Sequence, residues 1–334
     1  QAEEVSKSGL LRTAIYVFCL SLFIFAALFP LRYFSYCISK IYNISVQSFP
    51  SWMKDQLIDF WINFVITAVI VVVIYWLIRK SRKRWWLYAW LLSIPFTLFM
   101  MFIHPVVIDP LYHDFYPLKN KELEAKILEL AEQADIPAEH VFEVDKSEKT
   151  NALNAYVTGI GSNSRIVLWD TTLNRLSDDQ ILFIMAHEIA HYVEKHLYIG
   201  ISGYLLLSLA GLYIAAKLMG YVVKRWGEPL KITAVNHLSS LPLLLLILSL
   251  LSFAASPFTN WASRYQEERA DRFAIEMTDN PDAAIEAFQE LTRAGLSQVN
   301  PPLLVKIFRY GHPTMLERIS MIEEYELEKG RDSD

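Results

Sequence analysis

Apolar residues are gathered into five long blocks along the chain, separated by polar or mixed segments. Each block approaches or exceeds the roughly 20 residues that an α-helix needs to cross a lipid bilayer. A buried core helix explains one such block, but it does not explain five. The pattern therefore predicts an integral membrane protein with spans at residues 10–30, 60–78, 85–108, 197–220 and 241–258.

The segments between the first blocks have patterns of their own. Residues 31–59 are predicted to be a mixed loop at the membrane interface, a region that aromatic side chains favour. The aromatic residues of this segment are Tyr33, Tyr36, Tyr42, Phe49 and Trp52. The basic hexapeptide 79–84 joins the second and third blocks, which predicts a tight antiparallel hairpin.

Residues 109–196 change to the periods of a small α+β fold. Residues 122–134 have the spacing of an amphipathic helix, whereas residues 141–144 and 165–169 are typical of short strands. The tail after the last block is predicted to be helical. Its start and stop signals are Asn280 before a proline, Gly295, and the capping pair Thr314 and Glu317.

Composition supports the membrane assignment and excludes one class of partner. The 334 residues are 53% hydrophobic, with a mean hydropathy of +0.25. A net charge of −5, with basic residues clustered beside predicted spans, argues against a nucleic-acid partner. Cys19 and Cys37 are too few for a disulfide framework or a cysteine metal site.

The chemistry of the chain is concentrated in residues 183–192, which contain a His-Glu-x-x-His motif. Four residues advance an α-helix by about 400°, so His187 and His191 stand within roughly 40° of each other on one face. Two imidazoles at this spacing can bind one Zn²⁺, and Glu188 lies where it can take a proton from a zinc-acidified water. The motif predicts a metallopeptidase.

A chance match is the alternative, with the three residues on an ordinary helix surface. The context argues against it. Ser177 and Gln180 form a capping box that starts the helix, and its other residues are largely apolar. A helix of this kind is buried, and buried His and Glu side chains need partners. A metal ion is the simplest partner for them.

A third protein ligand has to come from elsewhere in the chain. A third histidine six residues after His191 is excluded, because that position holds Leu197. His196 lies nine residues after His187, which is about 180° around a continuing helix. It is therefore predicted to face away from the site, as a surface or interface histidine.

A carboxylate in residues 263–271 is the remaining option. Helical geometry separates two adjacent glutamates there, because Glu267 points to the same side as Ala270 and Ala274, whereas Glu268 points outward. Asp271 shares the face of Glu267 and could orient a ligand histidine through its free ring nitrogen. A solvated helix with paired charges explains Glu268 well and Glu267 poorly.

The predicted fold class is mainly α. It is a polytopic α-helical membrane protein with a small α+β, zincin-like metallopeptidase section, built from the loop between two spans and the C-terminal tail. Residues 1–108 supply three transmembrane helices and the interfacial loop, and residues 109–196 the catalytic section with the motif helix. Residues 197–258 supply two further transmembrane helices, and residues 259–334 complete the zinc site.

The chain resembles the type I CAAX prenyl protease family, membrane zinc metallopeptidases of the gluzincin kind that include the heat-shock membrane proteases. The resemblance runs from about residue 10 to residue 321, and its pieces occur in a consistent order. Besides the His-Glu-x-x-His motif, they are residues 109–112, 115–118, 154–159, 165–170, 263–271 and 312–313.

The resemblance implies a role for each site residue. One Zn²⁺ is expected on His187, His191 and Glu267, with Glu188 as the general base and Asp271 as a proton-handling or ligand-supporting residue. His312 resembles a histidine that stabilises the oxyanion, although a histidine before proline is more often a turn residue. Substrate is expected to bind as an added strand along Asn154, Ala155 and Tyr156, with Asn154 as a donor to its backbone.

The chain also departs from the family pattern. Eukaryotic members have seven spans around a large chamber, so the two absent spans are expected upstream of residue 1. Basic residues at 79–84 and 224–231 favour the cytoplasmic side, which places the catalytic section outside, opposite to the usual family arrangement. The location expected is a bacterial cell membrane or an endomembrane.

Three functions are compatible with the sequence. The first is processing of C-terminal CAAX-type or related membrane-associated peptides, prenylated or not. The second is quality-control proteolysis of damaged membrane proteins, and the third is a silent scaffold that retains its zinc. The intact Glu188 argues against the third, because a structural metal site has no use for a base. Partners expected are a peptide or protein substrate and the lipid bilayer; oligomeric state has no signature in the sequence.

Overall fold

The computed structural model describes residues 9–136, 140–158 and 165–332. These residues form two compact units. The first consists of the described residues up to Cys37, together with Phe49–Met101 and Ile201–Ala254. The second consists of Ile38–Ser48, Phe102–Gly200 and the described residues from Ala255 onward.

Most of the described chain is helical. In order the α-helices are α1 (Gly9–Ile41), α2 (Phe49–Lys80), α3 (Trp85–Ile103), α4 (Lys121–Gln133), α5 (Asp170–Arg175), α6 (Asp178–Val193), α7 (His196–Trp226), α8 (Leu241–Thr278), α9 (Pro281–Gly295), α10 (Leu303–Arg309) and α11 (Met315–Asp332). The strands are β1 (Phe115–Pro117), β2 (Val141–Val144), β3 (Ala155–Thr158) and β4 (Arg165–Trp169).

Among the described residues, five helices are long and apolar enough to cross a membrane, which confirms the polytopic fold class. They are Gly9–Ile41, Phe49–Lys80, Trp85–Leu111, His196–Trp226 and Leu238–Thr278, where the third and fifth include short π or 3₁₀ turns. In the first unit, side-chain hydrogen bonds connect neighbouring helices. The hydroxyls of Tyr75 and Ser240 are 2.8 Å apart, and Nε1 of Trp90 donates to the carbonyl of Leu205.

The predicted interfacial loop at residues 31–59 is wrong for most of its length. Helix α1 continues through Pro30 to Ile41 and helix α2 already begins at Phe49. A proline inside a membrane helix removes one backbone bond, which neighbouring groups can replace. The aromatic side chains pack between the two helices, and the rings of Tyr36 and Trp52 are stacked 4.8 Å apart.

The second unit contains a four-stranded sheet in the order β1-β2-β4-β3. Strands β2 and β4 are parallel, whereas β1 and β3 pair antiparallel at the two edges. Helix α6 packs against β3 and α9, and Phe183 meets Phe288 edge-on at 5.3 Å. The motif helix therefore lies between an edge strand and a helix of the C-terminal section.

The helix starts in this unit follow the capping signals. Ser177 and Gln180 form both bonds of a capping box on α6, and Thr314 and Glu317 do so at the start of α11. Helix α9 ends at Gly295, as predicted, and the next residue, Leu296, takes the left-handed conformation with φ 48°.

Candidate metal centre

Helix α6 presents the two motif histidines on the same side. The Nε2 atoms of His187 and His191 are 3.2 Å apart, as their i,i+4 spacing requires. His187 is buried and His191 is half-buried. Two ring nitrogens therefore point to one position beside the helix.

Helix α8 brings a carboxylate to the same position. One oxygen of Glu267 lies 3.2 Å from Nε2 of His187, and its other oxygen lies 3.5 Å from Nε2 of His191. Glu267 is buried, whereas the neighbouring Glu268 is exposed. The structure thus brings together the three residues that the sequence proposes as ligands, and it turns the competing glutamate outward.

The spacing of these atoms fits a metal ion. Ligand atoms about 2.0–2.1 Å from a tetrahedral metal lie roughly 3.3–3.4 Å from one another. The imidazole and carboxylate atoms of the cluster lie within 4.8 Å of one another. Oε2 of Glu267 is also buried without a well-formed hydrogen bond to any residue that the structure describes. A buried carboxylate oxygen of this kind needs a cation.

Hydrogen bonds fix which nitrogen of His187 faces the cluster. Its Nδ1 lies 2.8 Å from Oδ1 of Asp271, and Arg318 donates to both oxygens of that carboxylate. Burial by itself lowers the pKa of His187, but the adjacent carboxylates of Asp271 and Glu267 outweigh it and raise that pKa to about 9. The site therefore favours positive charge at Nε2, whether a proton or a metal carries it.

Arg318 is predicted to matter for folding even without metal. The side chain is buried and lies over the ring of Phe288 at 4.2 Å. Arg318→Leu leaves the buried Asp271 without its counter-charge, which costs about 3–5 kcal/mol. We expect a fall of several degrees in the Tm of the metal-stripped protein in detergent.

The matched control for this change is Arg293→Leu. Arg293 is exposed and pairs with Glu290 on the surface of α9, where an ion pair contributes little. The two arginine variants should therefore differ clearly in Tm. Equal melting of both would contradict a structural role for the buried Arg318–Asp271 pair.

The prediction that His196 faces away is wrong. His196 is 6% exposed, and its Nδ1 lies 2.8 Å from Nδ1 of His191. The prediction assumed a continuous helix, but α6 ends at Val193 and Lys195 takes the left-handed conformation with φ 58°. That break turns the chain, so that His196 starts α7 on the side of His191.

A cleft of about 460 Å³ opens beside the cluster. Its lining includes the remaining predicted catalytic residues and residues of the α10–α11 connection; they are Ala152, Leu153, Asn154, Ala155, His187, Glu188, Tyr310, Gly311, His312 and Arg318. Burial raises the pKa of Glu188. His312 is an exposed ring whose Nδ1 lies 2.8 Å from Oε2 of Glu267. Glu188 and His312 therefore line the same cleft as His187 of the cluster.

Strand β3 forms an edge of the sheet, next to this cleft. Asn154 and Ala155 line the cleft, whereas the half-buried Tyr156 is not among its lining residues. Oδ1 of Asn154 accepts from the backbone N–H of Ala155, so the donor group of this exposed side chain is its amide nitrogen. Burial raises the pKa of Tyr156 to about 12. Gly159, the last residue of this predicted segment, lies outside the described residues.

Sequence reasoning missed two residues of the centre, Arg318 and His196. For Arg318 a signal existed, because it falls on the same face of α11 as Met315, Ile319 and Ile322, where an unpaired charge is not expected. For His196 the sequence contains no such signal. The helix breaks at Lys195, and lysine is a residue that rarely adopts positive φ. Both residues contact a side chain that in turn contacts the cluster or belongs to it.

Membrane-crossing helices together with a helix-borne His-His-Glu cluster, and a glutamate beside it in an open cleft, define a membrane metallopeptidase. The chain belongs to peptidase family M48, whose model matches residues 117–326. A second model, for the CAAX prenyl protease N-terminal region with five membrane helices, matches residues 2–114. The resemblance predicted from the sequence is confirmed. The protein is an integral multi-pass membrane enzyme with a metal cofactor.

Relatives in several organisms are consistent with this assignment. The "Uncharacterized metalloprotease YhfN" of Bacillus subtilis is 59% identical over 316 residues, covering 95% of this chain and 74% of the relative. The "CAAX prenyl protease 1 homolog" of Arabidopsis thaliana is 27% identical, covering 87% of this chain and 68% of the plant protein. The "CAAX prenyl protease 1" of Saccharomyces cerevisiae is 26% identical, with 88% and 68% covered.

One solved structure has a similar fold. The crystal structure of S. mikatae Ste24p matches with a TM-score of 0.80 and 24% sequence identity. The match covers 96% of this chain and 76% of the other chain. The membrane helices and the small sheet section thus together form a fold already known among membrane proteins.

Proposed function

We propose that the protein is a zinc endopeptidase that removes C-terminal residues from membrane-associated peptides of the CAAX type. The observation that carries the proposal is the meeting of His187, His191 and Glu267 at one position, with Glu188 lining the cleft beside His187. Two relatives named CAAX prenyl protease 1 or a homolog of it support this class of substrate.

The donor set favours zinc. Two neutral imidazoles and one carboxylate are a donor set typical of catalytic zinc sites, in which a fourth ligand would be water or substrate. When bound there, Zn²⁺ would polarise the scissile carbonyl and acidify a water molecule. Asp271 holds His187 in the tautomer that leaves Nε2 free for the ion.

Glu188 and His312, which both line the cleft, have different roles in the proposed reaction. Glu188 takes the proton of the attacking water and passes it to the leaving amine. Its raised pKa makes it a stronger base than an ordinary glutamate once it is ionised. His312, at the exposed rim, donates to the charge that develops on the carbonyl oxygen.

The substrate backbone is proposed to extend the sheet at β3. Asn154 and Tyr156 pair with Trp169 and Val167 of β4, and the carbonyl of Asn154 accepts from the N–H of Trp169. In an antiparallel pair the intervening residue points its backbone groups the other way, so the carbonyl of Ala155 faces the outer edge, whereas its N–H is already bonded to Oδ1 of Asn154. An extended peptide there would pass along the cleft beside Glu188, with the amide of Asn154 as an additional donor.

A cleavage assay separates the substrate classes. The purified enzyme, loaded with zinc, is given a farnesylated CAAX peptide, the same peptide without its lipid, and an unfolded membrane protein. We expect cleavage of the farnesylated peptide at the highest kcat/KM, loss of activity on chelation, and recovery when zinc is added back. Preference for the unfolded protein would instead support quality control, and chelator-resistant cleavage would contradict a zinc enzyme.

A further inference from the structure

We infer that His196 is a positioning residue for the metal ligand His191. This inference rests on the proposed zinc site, and it adds a residue that the ligand set does not contain. His196 is buried, and its Nδ1 lies 2.8 Å from Nδ1 of His191. The geometry makes it the acceptor for the ring N–H of His191 that faces away from the metal position.

The direction of each hydrogen bond follows from its neighbours. If Nε2 of His191 binds the ion, its proton is on Nδ1, so that Nδ1–H donates to Nδ1 of His196. The proton of His196 is then on Nε2, which lies 3.0 Å from Oε2 of Glu194. Arg269 completes this series of hydrogen bonds by donating to both oxygens of Glu194. Every donor in the series meets an acceptor.

This series mirrors the arrangement on the other ligand. His187 donates to Asp271, which accepts two bonds from Arg318. His191 is likewise connected to a carboxylate and an arginine, Glu194 and Arg269. Here the imidazole of His196 lies between the ligand histidine and the carboxylate. Each ligand ring is thus fixed by an outer partner, which is how metal-binding histidines in proteins are held in one tautomer and orientation.

The backbone is shaped to make this contact. Glu194 is the C-cap of α6, Lys195 has φ 58°, and His196 begins α7, so two residues of the series come from one turn. His196 is not placed to be a ligand itself, because its two ring nitrogens face His191 and Glu194. Its role is therefore to hold the ring of His191 in place, and its own ring nitrogens do not face the metal position.

The test measures zinc affinity in the full chain, with His196→Leu and His196→Asn compared. Leucine fills the space of the ring without an acceptor. Asparagine keeps an oxygen near the position of Nδ1 and loses the reach to Glu194. Zn²⁺ dissociation constants are measured by competition with a chelator, and the Tm of each metal-stripped variant is measured alongside. His196→Ala is a second variant without an acceptor, for use if leucine lowers that Tm.

We expect the Zn²⁺ dissociation constant to rise about 10–100-fold in His196→Leu or His196→Ala. His196→Asn should stay close to wild type, and the metal-stripped Tm should not follow this order. Wild-type affinity without the acceptor, or equal losses in the leucine and asparagine variants, would overturn the role of His196. His191→Ala is the reference: if it too binds zinc normally, the proposed metal site itself fails.

Discussion

Replacing Glu188 by glutamine is expected to abolish peptide cleavage while zinc stays bound. Glutamine keeps the size and the hydrogen-bonding reach of the side chain, but it cannot accept the proton of the attacking water. Loss of general acid–base catalysis costs about 10²–10⁴-fold in rate. Because Glu188 lies in the cleft beside His187 and is not part of the ligand group, metal content and Tm should remain near wild type.

The measurement is kcat on a cleaved peptide, with zinc per chain determined on the same preparation. Glu132→Gln is a matched control, because Glu132 is an exposed glutamate on helix α4. It should retain full activity. A Glu188→Gln enzyme that keeps more than about one tenth of the wild-type rate would exclude Glu188 as the general base.

The second large effect is expected at Glu267, where the loss is of metal and activity together. Glu267→Gln removes the charge of the carboxylate that lies 3.2 Å and 3.5 Å from the two Nε2 atoms. Since loss of an outer partner already costs about 10–100-fold in metal affinity, loss of a direct ligand should cost more than about 100-fold. Activity should fall in proportion to the zinc that is lost.

The adjacent residue provides a close control for this change. Glu268 is on the same helix, one position later, and its side chain is exposed. Glu268→Gln should bind zinc and cleave peptide as the wild type does. The ligand assignment would be refuted by a Glu267→Gln protein that is fully metallated and active, or by equal losses of zinc in the two variants.

What the sequence predicts well lies within single helices and strands. The i,i+4 spacing of His187 and His191 and the orientation of Glu267 against Glu268 follow from helical geometry alone. Capping signals placed the starts of α6 and α11 correctly. The strands at 141–144 and 165–169 are likewise where their composition places them.

The features that the sequence does not predict depend on breaks or on long-range contacts. No local signal marks the turn at Lys195, and a one-residue break is enough to bring His196 to the opposite side of the helix axis. The proline at position 30 suggested the end of a helix, but membrane surroundings let α1 continue to Ile41. Pairing of β1 with β2 joins segments about 25 residues apart, which spacing within a strand cannot indicate.

X-ray absorption at the zinc edge of the purified protein identifies the ligands of the bound metal directly. We expect one zinc bound by two imidazole nitrogens and carboxylate or water oxygen at about 2.0–2.2 Å, without sulfur. In His191→Ala the spectrum should lose one imidazole. Absence of zinc from the wild-type protein after loading would contradict the proposed metal site. An imidazole count in His191→Ala equal to that of the wild type would contradict it too.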